Sequence, residues 1–371
     1  MAETRVNSSL SPTIWDDQFT TEFFQTNPFT AYQGTGENNI IRVKEDFQSK
    51  RGNGVTFEYI TNILRGTIFD RQPLRGHEDV LGEYGDRVFW RMRKKGVAMH
   101  ELDMDLAAID LRGAARGALK TWSQQDLKWE VIDRLGDVGQ NCDVPFATAA
   151  TADLNAWNAA NVDRVLFGAN VTNYSASFAA AAANVGVGTA DLLNRSMVRK
   201  MRAIALNAAP KITPVEVEQA SNRRFFVMFV PTLPFVDFQN DTDPVQSAVR
   251  VIERNESIFL GGDREFDGVI VHQVDDIQPL GNIGSGGKTV WPVYLLGKEA
   301  LGMAVKERYR SREQTDDYQQ EKGFGIFGKW GMKKLCYSPN FNQALSGINA
   351  ANFGKQRGVV TGFVTATGLR A

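Results

Sequence analysis

The sequence predicts a mixed α+β fold in which a long extended excursion leads straight into one long helix. Three observations predict it. Residues 54–64, GVTFEYITNIL, place β-branched and aromatic side chains close to alternation, the mark of a strand. Residues 103–135 instead repeat apolar side chains every three or four positions, a helical stripe. Further on, a second helical pattern is followed by unbroken apolar runs and a late return strand, a mixed order of elements. With 371 residues, 43% of them hydrophobic, the chain can bury one large or two medium cores.

Residues 1–50 are polar but carry Trp15, Phe19, Phe23, Phe24, Phe29 and Tyr32. Trp15, Phe19 and Phe23 stand four apart, so a short helix would show them on one face. An arm with this much aromatic surface needs a cover, either its own core or another subunit. The strand from Gly54 gives way to a turn-rich patch holding Gly66, Pro73 and Gly76, then to a second extended run near 87–99. Together these read as a protruding loop on a two-stranded stem.

The spine helix is expected from Asp103 to a stop at Gly136, with Glu101, Asp103 and Asp105 favouring the positive end of its dipole. Its stripe is Met104, Ala108, Leu111, Ala115, Ala118, Trp122, Trp129 and Ile132. Gly113 and Gly117 lie four apart, and each weakens the helix by about 1 kcal/mol relative to Ala. Close approach of another backbone would explain both. Residues 140–188, rich in Ala, Asn and Thr, read as a surface excursion with little core. A second helix capped by Thr189 shows Leu193, Met197, Met201 and Ile204 on one face and ends before Pro210. RRFFVMFVPT reads as a strand buried on both faces, followed by strand patterns at GVIVHQV, TVWPVYLLG, FGIFGKWGMKKLCY and VVTGFVTAT.

Composition narrows function. The formal net charge of -1 argues against a protein that lives by gripping phosphates. Cys142 and Cys336 lack CxxC spacing and read as two small buried hydrophobes in a reducing compartment. No apolar run reaches about 18 residues and no basic, apolar, small-residue layout opens the chain, so the expected product is made in the cytosol and does not span a membrane. Gly281–Thr289, GNIGSGGKT, has the look of a phosphate loop, but Asn282 occupies the position of the first glycine and a strand rather than a helix follows. A flexible hairpin connection is the better reading. His77, His100 and His272 lack metal spacing, and Asp103, Asp105 and Asp110 mark a helix start. Asp275–Asp276 and Asp316–Asp317 read as solvated loops. The expectation is no catalytic residue, no cofactor and no metal.

The order of these segments resembles the major capsid proteins of tailed phages, in particular the N-four-like podovirus group. Gly52, Val55, Thr56 and Phe57 match a first strand motif; Leu74, Gly76, Glu78 and Leu81 match a second segment; Arg91 or Arg93 matches a third. His77 and Asp79 depart from the pattern. FFVMFVPTLPFVDF, SIFLGGDREFDGVIVHQVDDI, YLLGKEALGMAV and GKWGMKKLCY extend the likeness, and residues 140–188 match least. The resemblance implies the Hong Kong 97-type capsid fold. Its parts would be an N-terminal arm at 1–50, an extended E-loop at 51–100, and a peripheral domain with spine helix and Ala-rich excursion at 101–188. An axial domain would follow at 189–340, with 341–371 returning to the peripheral sheet. It also implies self-assembly as hexamers and pentamers into an icosahedral shell around double-stranded DNA, often through a procapsid that expands, with a portal partner and possible scaffold or decoration proteins.

On this reading Trp15, Phe19, Phe23, Phe24, Phe57, Leu74, Arg75, Glu78, Arg91 and Arg93 are expected at contacts between subunits, and contact with the enclosed DNA is weak. The clusters Arg91, Arg93, Lys94, Lys95 and Lys306, Arg308, Arg310, Arg312 stay open between a solvated face, intersubunit salt bridges and DNA contact. An encapsulin-like container is the related alternative; a nucleotide-binding enzyme built on Gly281–Thr289 is the one from a different class.

Overall fold

The later part of the expected N-terminal arm packs on the core of its own chain. In a computed structural model of the chain, the described residues are 29–45, 52–60, 67, 69, 75, 83–107, 110–186, 191–217, 223–241, 264–316, 320–337 and 352–368. The short strand β1 (Gln33–Gly34) pairs with β2 (Ile41–Lys44). Phe29, Ile40, Ile41 and Val43 are buried in a cluster with Phe229, Leu301 and Trp330, and the Phe29 and Phe229 rings meet edge to face at 4.8 Å. Buried Glu299 accepts from Arg42 and also pairs with Arg357, fastening β2 to the body. Within the stretch expected as an arm over 1–50, aromatic and β-branched side chains from Phe29 to Val43 are thus buried in their own chain.

The stem of the protruding loop is as expected. β3 (Gly54–Ile60) pairs antiparallel with β4 (Glu83–Phe89) in register from Gly54 opposite Phe89 to Ile60 opposite Glu83. The second extended run divides after Phe89, because β5 (Arg91–His100) leaves the stem to join another sheet. The spine is broken too. α1 (Glu101–Leu106) ends in an extended Ala107, and α2 (Leu111–Gly136) begins afterwards. α1 buries no residue, so nothing in the packing repays a continuous helix there. α2 spans about 39 Å at 1.5 Å per residue and stops at Gly136 as expected. Its buried face is Ala115, Leu119, Lys128, Val131, Ile132 and Leu135, so the stripe is turned from the expected one and Trp129 is 43% exposed. Nothing within the described residues approaches Gly117, and a Cβ at Gly113 would meet only the Asp110 side chain, so no backbone among the described residues explains this pair.

The Ala-rich excursion has a core after all. α3 (Thr151–Ala160), β6 (Val165–Phe167) and α4 (Phe178–Ala183) gather Trp157, Phe167 and Phe178 around Phe363, with Phe167 and Phe363 stacked at 4.7 Å. Alanines at 181 and 182 are what let these rings close on each other. α5 (Arg195–Asn207) is capped by Asn194, whose side chain accepts from the Met197 N–H at 2.9 Å; Thr189 lies outside the described residues. Met197, Val198, Met201 and Ala205 form its buried face.

The remaining elements are β7 (Val215–Val217), β8 (Arg223–Val230), α6 (Thr232–Asn240), β9 (Arg264–Phe266), β10 (Val269–Gln273), β11 (Val290–Leu296), β12 (Leu301–Asp316), β13 (Glu321–Lys334) and β14 (Val359–Thr365). They settle into two sheets. One has seven strands, in the order β6-β14-β11-β8-β10-β9 with β7 beside β8; the other has five, in the order β1-β2-β12-β13-β5. β8, buried from Phe225 to Val230, lies inside the first sheet, as its unbroken apolar run requires. α2 packs on the second. β12 and β13, within the stretch expected at 189–340, pair in the sheet under α2, and β14, within the stretch expected at 341–371, lies in the seven-stranded sheet between β11 and β6. β14 is buried at every position, as suits a strand lying inside the sheet with a neighbour on each side and a cover on both faces.

Candidate subunit-contact surfaces

The phosphate-loop lookalike has no site. Gly286 and Gly287 adopt positive φ in a tight turn, Gly281 bridges Val290, and the chain enters β11 instead of a helix. Lys288 donates to the Gly186 carbonyl at 2.6 Å rather than projecting into a cradle. Among the described residues no group of His, Cys, Asp and Glu could hold a metal ion, and no helix is long and apolar enough to cross a membrane. His100 caps α1 by accepting from the Leu102 N–H at 3.2 Å, His272 is buried beside the Tyr32 hydroxyl, and His77 lies outside the described residues.

Cys142 and Cys336, far apart in sequence, share one buried aromatic cluster and remain free thiols. The contact with Cys142, together with burial, pushes the Cys336 thiol well above its usual range, so it stays protonated. Asp86 on β4 accepts from the Cys336 N–H at 3.1 Å and from Lys333 Nζ at 2.5 Å. Burial raises its carboxyl, and the Lys333 ammonium pulls it back. These bonds root the stem in β13. Phe57, Tyr59, Tyr84 and Val88 close the joint against Ala304, Leu335 and Tyr337.

Of the ten residues expected at subunit contacts, Trp15, Phe19, Phe23, Phe24, Leu74 and Glu78 lie outside the described residues. Arg75 is exposed in a turn, and Arg91 is exposed on β5. Phe57 is fully buried in its own subunit, with Lys44 Nζ 4.9 Å from its ring centroid. Arg93 also finds its partners at home. It donates to Asp126 at 2.9 Å, meets Glu130 at 2.5 Å and lies 4.1 Å from the Trp330 centroid, clamping β5 and β13 to α2. Phe57 and Arg93 thus serve the fold where they were expected at a contact. A reader of the sequence would find the reason in spacing: Asp126 and Glu130 are four apart, so both face whatever crosses that side of α2.

The charge ladder continues along α2. Arg134 donates to Glu130 at 2.9 Å and to Asp137 at 2.7 Å. Asp137 is fully buried, and burial pushes its pKa up to about 6 against the pull of Arg134 and Lys334. Lys128, on the apolar face, reaches Asp276 at 2.7 Å, so this part-exposed loop carboxylate also serves as an ion-pair partner. Buried Lys334 donates to the Leu135 carbonyl at 3.0 Å. Sequence gave no sign of these pairings, since each joins residues more than a hundred positions apart apart from the helical steps.

What remains open is the outer part of the five-stranded sheet. β3 and β4 cover only its near end, where Gly331 admits the Phe89 carbonyl; a Cβ at 331 would sit 1.9 Å from that oxygen. Beyond, β5 is the terminal strand, exposed at eight of ten positions, with Met92 56% and Val97 38% exposed. The two basic clusters come together here. Arg310 and Lys329 both pair with Glu307, Arg312 lies 5.4 Å from the Phe327 centroid, and Arg308 meets Glu45 at 2.6 Å. Trp90 is occupied by Lys306, and Tyr309 is held by edge contacts with Trp122 and Trp330 and by its hydroxyl, which donates to Asp126 at 2.6 Å. A separate groove of about 430 Å³ lies between α6 and the start of α5, lined by Leu193, Asn194, Val236, Asp237 and Asp241.

A family model described as phage capsid protein matches residues 3–346. The fold is similar to that of the Cyanophage Pam1 capsid, at 25% identity, covering 99% of this chain and 100% of that one with a TM-score of 0.82. It is also similar to the capsid of Ralstonia phage GP4, at 20% identity, covering 100% and 97% with a TM-score of 0.70. The head of Helicobacter pylori bacteriophage KHP40 shares the fold at 12% identity, covering 92% and 91% with a TM-score of 0.61. No curated protein matches the chain.

Proposed function

The chain belongs to the phage capsid protein family, and we propose that it is the major subunit of a tailed-phage head, assembling as hexamers and pentamers into an icosahedral shell around double-stranded DNA. It is a structural protein of the virion, not an enzyme. The observation that carries the reading is likeness along 99% of the chain to the Pam1 capsid. We assign the five-stranded sheet with α2 to the peripheral unit, the seven-stranded sheet to the axial unit and the β3–β4 stem to the E-loop. The finer kinship with N-four-like podoviruses is supported by the order of the Gly52–Phe57, Leu74–Leu81 and Arg91–Arg93 motifs. A portal partner, and scaffold or decoration proteins, follow from the same reading.

Contacts between subunits are built from residues 1–28 and the E-loop tip. Many modest contacts repeated over a closed surface hold a shell without any one tight pair. Expressing the full chain and examining it by negative-stain electron microscopy tests the reading: closed shells or capsomers are expected, and a strictly monomeric preparation at every protein concentration and ionic strength would sink it. Arg75→Glu is expected to impair assembly while leaving thermal stability unchanged, because Arg75 is exposed in the isolated subunit.

A further inference from the structure

We propose that the acidic, aromatic segment around residues 15–24 of a second copy docks along β5, on the basic outer part of the five-stranded sheet. The proposal rests on the shell reading and adds where one subunit receives another. β5 is the terminal strand of its sheet and runs for ten residues, so alternate backbone N–H and C=O groups along its outer side have no strand partner among the described residues. Such an edge invites an extended segment from another chain. Arg93 turns to α2, so its neighbours Met92 and Lys94 point to the opposite face. On that face Lys94 stands opposite Phe327, Phe327 stands opposite Arg310, and Met92 stands opposite Lys329. Exposed Arg91 and Lys95 extend the positive charge along the strand. Glu307 is already paired with Arg310 and Lys329, and Glu321 lies at the far end beside His100.

Lysines on an edge strand repel a second basic edge, which is one way a sheet avoids random pairing. They admit an acidic segment instead. Residues 1–28 contain Glu3, Asp16, Asp17 and Glu22 against Arg5, and put Trp15, Phe19, Phe23 and Phe24 among the acids. Those rings match an edge that offers exposed Met92 on one face and exposed Val97 on the other, beside its cations. The E-loop tip, 61–82, is the weaker candidate, because Arg65, Arg71 and Arg75 offset Asp70, Glu78 and Asp79. Nucleic acid would be drawn by the charge but has no use for an open strand edge or for exposed apolar side chains.

The test is a charge swap in the full-length chain. Lys94→Glu with Lys95→Glu, and separately Asp16→Lys with Asp17→Lys, should each lower the yield of shells by about tenfold or more, since like charges then face each other. Combining all four should restore most of the yield. In a second measurement, Asp17→Cys with Lys95→Cys should give disulfide-linked copies on mild oxidation; the native thiols are buried and stay out of the reaction. Shells that form normally with either reversal, or a combination that rescues nothing while no cross-link appears, overturn the proposal and leave the shell reading standing. Full shells that lose only their DNA would overturn it too, by making nucleic acid the occupant. Failure of the unaltered chain to make any shell would remove the shell reading itself.

Discussion

The two sheets of this subunit are finished to different degrees. The seven-stranded sheet has its long strands inside: β8, β11 and β14 are buried almost end to end, and its faces are closed by α5, α6 and the aromatic cluster around Phe363. The five-stranded sheet is closed by α2 and by the β3–β4 stem at its near end, then runs outward as a hairpin of β12 and β13 flanked by the exposed β5. Hydrophobic burial holds the first, and in the second the apolar core under α2 is supplemented by paired charges such as Arg93, Asp126 and Glu130. One chain can thus stabilise itself in one region and leave the other for its neighbours, because apolar cores need no partner whereas open edges and unmatched charge do.

Mutations can break that contrast. The largest effect is expected from Trp157→Ala, which empties a fully buried ring site beside Phe178 and Phe363 and should cost about 4 kcal/mol in chemical denaturation. A loss below about 1 kcal/mol would mean the larger unit is not self-sufficient. Arg93→Ala should come next, at about 3 kcal/mol, because it leaves two partly buried carboxylates facing each other on α2. Removing residues 1–28 should leave the melting temperature within a few degrees, since the core built from Phe29 onward is kept, yet abolish shells. A subunit that unfolds on this truncation would show that the segment belongs to its own body.

The pH dependence sharpens the same comparison. Burial raises the Asp137 carboxyl from 3.8 to about 6 in the folded chain, so the native state holds a proton that the unfolded state has released. Its contribution is fully favourable below about pH 4 and is lost as pH rises through 6, about 2–3 kcal/mol in all. Asp137→Asn should flatten stability between pH 4 and 7 in denaturation curves; an unchanged profile would place the titration elsewhere. The smallest effect belongs to Arg116→Ala. Arg116 and Glu313 are both exposed, and the loss should stay within about 0.5 kcal/mol.

Much of this was legible from local pattern. The strand at Gly54, the stop at Gly136 and the buried run at Phe225–Val230 follow from spacing and residue type, because each is decided within a few residues. The sequence also showed that Gly281–Thr289 turns into a strand. Errors arose where distant partners decide. Phe29 and Ile40 look like arm residues until Phe229 and Leu301 are beside them. Alanines at 181 and 182 look like filler until the rings of Trp157 and Phe363 need room. Phe57 and Arg93 carried the right residue types for a contact, but their partners proved to be in the same chain.

Strand β2 gives residues 1–28 a mechanical footing. It runs parallel to β12 with Ile41 to Lys44 in register against Leu301 to Ala304, and Glu299 grips Arg42 alongside. A tug on the leading segment therefore loads a row of backbone hydrogen bonds sideways, all together rather than one after another. Whatever holds that segment is tied, through β12, to the rigid middle of the subunit.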